Sequence, residues 1–262
     1  MNILFIGDIV GSPGRAAIRE LVPRVKEKEK IDFVVANAEN AAGGSGLTPK
    51  LAEELLACGV NVLTSGDHVW KRKEIIEVLD EDTRVLRPAN YPEGVPGKGW
   101  GVYSLKKGKV KIGVINLVGR VFMESVECPF RVSRGIVEEI KAQTPVILID
   151  MHAEATSEKI ALAWYLDGIV SAVLGTHTHV QTADEHIYPK GTAFICDVGM
   201  TGPHDSVIGR KVEQILTRFI TQLPTRFEMA EDNVQMNGAV VTVDENTGMA
   251  SAIKRVNERL EQ

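Results

Sequence analysis

The chain is poor in cysteine. Cys58, Cys128 and Cys196 are odd in number, far apart and lack any Cys-x-x-Cys spacing. That excludes a disulfide framework and a thiolate zinc site, and the three read as reduced core residues. No apolar stretch approaches the roughly 20 residues needed to cross a bilayer, so no membrane partner is expected. Basic residues are not in excess: 30 Lys and Arg stand against 35 Asp and Glu, a net charge of −5, and they are scattered along the chain. Stable nucleic-acid binding is therefore not expected, while a small charged substrate fits. Internal repeats, low-complexity tracts and Ser/Gly linkers are also missing. Trp70, Trp100 and Trp164 read as packing residues and not as platforms for bases. The first apolar run meets a polar turn at Gly7-Asp8, which leaves no room for the hydrophobic region of a signal peptide, so a cytoplasmic location is expected.

What the chain does have is a large apolar content, 44% of 262 residues, enough for a sizeable core. The Pro/Gly-rich piece at residues 90–97 is too short for a linker, and one domain over residues 1–262 is expected. Strand-like runs at residues 2–6, 32–36 and 60–64 alternate with helices opened by Ser12-Pro13 and Thr48-Pro49, a βαβαβ rhythm. Further strands are expected at residues 110–117, 146–149, 169–174 and 193–195, and helices near 133–142, 157–166 and 208–222. Residues 226–230, 238–244 and 249–256 read as short strands, the last two joined by a turn at Glu245-Asn246-Thr247-Gly248. The fold class is thus α/β with mixed sheets flanked by helices.

Five of the apolar runs end in polar groups: Asp8, Glu39-Asn40, Asp67-His68, Asp150-Met151-His152 and His177-Thr178-His179. In open α/β sheets the ligand crevice lies outside the carboxyl ends of strands, so these ends can converge. Carboxylates and imidazoles gathered there suit a pair of divalent metals. Each residue alone has an ordinary reading as a cap, a turn or a packed histidine. The joint pattern weighs more, because four of only six histidines fall at strand ends.

In order, Asp8, Glu39-Asn40, Gly66-Asp67-His68, His152 and Gly175-Thr176-His177-Thr178-His179 resemble the pattern of the calcineurin-like metallophosphoesterase superfamily. The stretches FIGDIVGSPGR, NAENAAGG, NLVGRVFME, MHAEATSEK, GTHTHVQTAD and TGPHDS are similar to the YmdB-like phosphodiesterases within it. The resemblance implies a metallophosphoesterase-type sandwich that binds two metal ions, divalent or mixed-valence, at the carboxyl ends of its strands. Asp8 and His179, with Asn40 adding a contact, would hold one ion; Asp67, His152 and His177 would hold the other, and Glu39 would bridge them. His68 would be the catalytic hydrogen-bonding or proton-donating group. Arg120 and His204 lie in shared segments and are weaker candidates for substrate contact. The implied substrate is a small phosphodiester such as a 2′,3′-cyclic nucleotide.

The chemistry is consistent with that assignment. Two divalent ions about 3.5 to 4 Å apart acidify a bridging water, aim the resulting hydroxide in line and gather charge from the phosphorus oxygens. Imidazole and carboxylate ligands suit iron or manganese, with zinc also compatible. Two positions depart from the superfamily pattern: no histidine follows Asp8 in an Asp-x-His unit, a feature of the YmdB-like group, and Asp67 stands where Asn is usual. Three carboxylates (Asp8, Glu39, Asp67) against two divalent ions leave a formal charge of +1 in place of +2, which favours holding metal over acidifying its water. A regulatory protein with the same metal centre and slow turnover is the alternative, and a homo-oligomer is compatible with the sequence.

Overall fold

The computed structural model describes residues 1–105 and 108–261. The N-terminal half is built as expected from β1 (Asn2–Ile6), α1 (Gly11–Glu29), β3 (Phe33–Asn37), α2 (Pro49–Ala57) and β4 (Val62–Thr64), with the two-residue β2 (Asp8–Ile9) following β1. The helix α1 turns Ala17, Ile18, Leu21, Val22 and Val25 inward, a helical stripe that packs on the sheet. The helix α2 takes Pro49 at its start, where the missing N–H costs nothing. These strands belong to a seven-stranded mixed sheet in which β1, β3 and β4 run parallel.

A second sheet of six strands runs in the order β5 (Trp100–Leu105), β6 (Val110–Val118), β7 (Ile147–His152), β8 (Ala172–Thr176), β10 (Ala193–Ile195) and β9 (His186–Ile187). Its middle strands β6, β7, β8 and β10 are parallel, and each is buried nearly throughout. The two sheets pack face to face: Phe5, Phe33 and Val35 of the first share one cluster with Val114, Leu148 and Leu174 of the second. Outer clusters place α1 and α2 over the first sheet, and α4 (Pro129–Lys141) and α5 (Thr156–Tyr165) over the second. The mixed α/β sandwich expected from the sequence is therefore the fold. No described helix is long and apolar enough to cross a membrane.

Three segments differ from expectation. The last helix, α6 (Val212–Thr221), begins four residues later than read, because Val207 and Arg210 pair across a tight turn whose central residues Ile208 and Gly209 both have positive φ. Residues 226–230 form no strand and make only a single bridge, Met229 to Arg210. The final hairpin of β12 (Val234–Val243) and β13 (Ala250–Arg259) is present, but β12 inserts beside β1, and β11 (Met200–Pro203) pairs with both β12 and β2. The chain's last third thus closes the first sheet, a long-range pairing that local patterning does not encode. The short helix α3 (Ile75–Glu81) and the edge strand β5 also lacked a clear signal.

Candidate metal centre

The parallel strands β1, β3 and β4 of one sheet and β7 and β8 of the other end on the same side of the sandwich. Asp8, Glu39, Asp67, His152, His177 and His179 meet there. Glu39, Asp67, His152 and His177 each offer a ligand atom within 4.8 Å of the others, a group that could hold a metal ion. His152 Nε2 lies 2.9 Å from His177 Nδ1, 3.1 Å from Asp67 Oδ1 and 3.3 Å from Glu39 Oε1. A proton on Nε2 can satisfy these acceptors only one at a time, whereas a cation satisfies all of them.

Beside this group, Asp8 Oδ1 is 3.8 Å from His179 Nε2. Asp8 is wholly buried, its Oδ2 accepts the backbone N–H of His177, and its Oδ1 accepts no hydrogen bond. An orphaned carboxylate oxygen in such a place is costly unless a cation faces it. The residues present therefore fit a metal-binding role. Asn40 presents its N–H₂ to Glu39 Oε1 at 3.1 Å and faces His179 Nε2 at 3.2 Å, while its Oδ1 meets His68 Nδ1 at 2.7 Å. For Asn40 to bind an ion through oxygen, the amide has to turn over.

All three candidate histidine ligands have the second ring nitrogen occupied. His152 Nδ1 is 2.9 Å from Thr176 Oγ1, which donates onward to Asp150 Oδ1 at 2.7 Å, so Nδ1 must be the donor. His177 Nε2 faces Glu154 Oε2 at 3.2 Å, and His179 Nδ1 faces the Ile208 carbonyl at 3.2 Å. Each acceptor favours the tautomer whose other nitrogen, once it gives up its proton, points to the cluster, the arrangement that supports metal ligation. Asp150 is tied in turn by Thr64 Oγ1 and Asn37 Nδ2. Burial pushes its pKa up to about 6, partly offset by His152 and by the hydroxyls of Thr64 and Thr176.

The cluster's charges are strongly coupled. Burial alone would raise the pKa of Asp67, but hydrogen bonds from His152 and His177 outweigh it and hold the carboxyl well below its usual range. Burial likewise opposes ionisation of Glu39, yet His152 brings it below normal. Asp8 goes the other way: burial raises it despite His179 and His152. His152 is held well above its ordinary value, because Glu39, Asp67 and Asp8 overcome the burial that would discharge it.

Glycine at position 66 is required by this crowding, since a Cβ there would overlap the His152 ring and Glu39 Oε2. The loop carrying His177 and His179 is fixed from below. Asp197 Oδ2 accepts the backbone N–H and the hydroxyl of Thr178, and also pairs with Lys159 Nζ at 2.9 Å in a fully buried contact. The cluster opens into a cavity of about 380 Å³ lined by Glu39, Asn40, His68, His177, His179 and Arg210 among others. A larger hollow of about 550 Å³ beside Arg87 and Tyr103 contains none of the clustered residues and is not part of this centre.

Arg120 and His204 do not line the 380 Å³ cavity. The exposed Arg120 donates its backbone N–H to Glu158, and His204 is bonded to the Gly202 carbonyl and to Asn237. Sequence reading did not single out Thr176, Glu154, Lys159, Asp197 or Arg210. Thr176, Glu154 and Lys159 sit inside recognised motifs, so the motifs themselves were the signal; Asp197 falls between two of them, and Arg210 had none.

A profile of the family described as YmdB-like protein matches residues 4–256. A 2′,3′-cyclic-nucleotide 2′-phosphodiesterase of Bacillus subtilis is 50% identical over 256 residues, covering 98% of this chain and 96% of that protein. A crystal structure of a hypothetical protein from Thermus thermophilus superposes with a TM-score of 0.92 at 40% identity, covering 99% of each chain. A novel phosphatase from Mycoplasma pneumoniae superposes with a TM-score of 0.92 at 35% identity, covering 99% of this chain and 93% of that one. With sequence and fold similarity both extending over nearly its full length, the chain belongs to the YmdB-like protein family.

Proposed function

We propose that this protein is a dinuclear metal-dependent phosphodiesterase acting on small phosphodiesters, 2′,3′-cyclic nucleotides in particular. The observation that carries the reading is the pair of adjoining donor groups, Asp8 with His179 and, beside them, Glu39 with Asp67, His152 and His177; Glu39 would bridge two bound ions. The substrate class is supported by the name of the Bacillus subtilis relative at 50% identity. Bound ions would supply charge neutralisation at the phosphate and activation of water.

The chain's own residues do the rest. Asp8, His179 and an overturned Asn40 would hold one ion, and Asp67, His152 and His177 the other. Thr176, Glu154 and the Ile208 carbonyl keep the imidazoles aimed inward. His68 Nδ1 lies 2.7 Å from Asn40 Oδ1 before the amide turns over, so Nε2 is the ring nitrogen that would face the leaving oxygen. Glu39 Oε1 at 3.5 Å and Asp67 Oδ2 at 3.8 Å lie beside that ring. A well-placed proton donor contributes on the order of 10²–10⁴-fold. Iron or manganese suits this donor set, and zinc is also compatible.

The test is turnover of bis(p-nitrophenyl) phosphate and 2′,3′-cyclic AMP by metal-loaded protein, beside Glu39→Ala and His68→Ala, with elemental analysis of each. Two metals per chain, and a parent faster than His68→Ala by at least about 10²-fold, are expected. A parent no faster than the variants would sink the enzymatic reading in favour of a slow-turnover regulatory centre.

A further inference from the structure

Residues 119–124 contain an aromatic side chain that the fold does not use. Phe122 is 89% exposed, and its backbone sits in the left-handed region at φ 62°. Both features are unfavourable: a bulky side chain clashes with the local backbone there, and the ring gains nothing from burial. Neither comes from a loose loop. The carboxylate of Glu158, itself only 7% exposed, accepts the backbone N–H of Arg120 at 3.1 Å and of Val121 at 3.3 Å. Met123 N–H returns to the Arg120 carbonyl, and Gly119 is packed so closely that a Cβ would overlap Glu158 and Ala153. The fold thus holds an exposed ring in a strained conformation on a built turn. Strain of that kind, when imposed by its surroundings, marks sites where the side chain serves a ligand.

The ring's position says which ligand. Phe122, Met123 and Glu124 form one wall of a hollow of about 300 Å³ whose other lining residues are Asp67 and His177 of the metal centre. A phosphodiester held at that centre therefore has its organic substituent within reach of Phe122. We propose that Phe122 is the stacking platform for a planar substituent of the substrate, a nucleobase being the natural case; this deepens the diesterase reading and rests on it. Stacking of a base on an aromatic side chain tolerates any base, because each has a π-face. The site would then select nucleotides as a class without selecting among bases.

The experiment compares two substrates with the same reactive five-membered cyclic phosphate, 2′,3′-cyclic AMP and glycerol 1,2-cyclic phosphate, of which only the first carries a base. Metal-loaded parent, Phe122→Ala, Phe122→Asn and Phe122→Tyr are assayed on both, with thermal unfolding and size-exclusion of each. Phe122→Ala and Phe122→Asn are expected to raise KM for cyclic AMP about tenfold, within the range that one stacked base is worth. Their effect on glycerol cyclic phosphate should be at least about fivefold smaller, and Phe122→Tyr should restore the parent value. Because Asn tolerates positive φ, Phe122→Asn should unfold no lower than the parent and carries the test if the Ala variant folds poorly. Equal losses on both substrates, no loss on cyclic AMP, failure of Tyr to rescue, or a changed oligomeric state without selectivity would each overturn the platform. A parent inactive on both substrates would instead bring down the diesterase reading and this inference with it.

Discussion

Replacing Lys159 with Met removes one charge of a buried pair while keeping the length of the side chain. Lys159 Nζ stands 2.9 Å from Asp197 Oδ2, and the two side chains are 0% and 1% exposed. In the variant the carboxylate keeps the Thr178 N–H, the Thr178 hydroxyl and the Gly199 N–H, but loses its counter-charge. Removing one partner of a buried pair costs about 3–5 kcal/mol. The three remaining hydrogen bonds put the expected loss at the lower end, about 3 kcal/mol. At about 2–4 °C per kcal/mol for a chain of this size, the unfolding midpoint should fall by about 6–12 °C. Urea denaturation of metal-free protein gives the free energy directly. The double variant Lys159→Met/Asp197→Asn should lose less than the sum of the single changes, since neither charge is then stranded. Thr178 lies between His177 and His179, so the same single change should also weaken metal retention. A loss below about 1 kcal/mol, or strict additivity in the double variant, would refute the view that this pair supports the histidine loop.

Gly66→Ala should abolish metal uptake, because the new methyl group occupies space now filled by the His152 ring and Glu39; elemental analysis showing parent-like metal content would contradict this. Asp67→Asn should hold its metals less tightly but acidify their water, moving the acidic limb of the pH–rate profile to lower pH, and an unmoved limb would count against it. Metal uptake should release protons at neutral pH. The charges of Glu39, Asp67 and Asp8, overcoming burial, keep His152 protonated above its usual range. Apparent affinity should therefore rise by about tenfold per pH unit until that raised pKa is reached, and calorimetry in buffers of different ionisation heat would reveal a missing proton.

Much of the centre was legible along the chain because strand ends are local events. An apolar run that stops at Asp8, Glu39, Asp67 or His152 announces both the strand and the polar group it delivers. The same logic identified α1 and α2, whose prolines and apolar stripes are short-range signals. It failed at residues 226–230, where alternation resembled a strand but no partner lies alongside beyond one bridge. It also failed at residues 208–211, where helix-like composition is overridden by the pairing of Val207 with Arg210.

The sequence by itself determined which candidate ligands are available and that parallel strands would carry them, since residue type and periodicity are properties of neighbours along the chain. Only the tertiary structure decided how they are completed. Asp150 reaches His152 through Thr176 on the adjacent strand, His177 meets Glu154, and His179 depends on a carbonyl 29 residues away. Lys159 and Asp197, 38 residues apart, become one buried pair beneath the histidine loop. Phe122 acquires meaning only when its turn is set beside Asp67 and His177. Such contacts depend on how two sheets twist and pack against each other, and periodicity along one strand carries no information about the strand it will face.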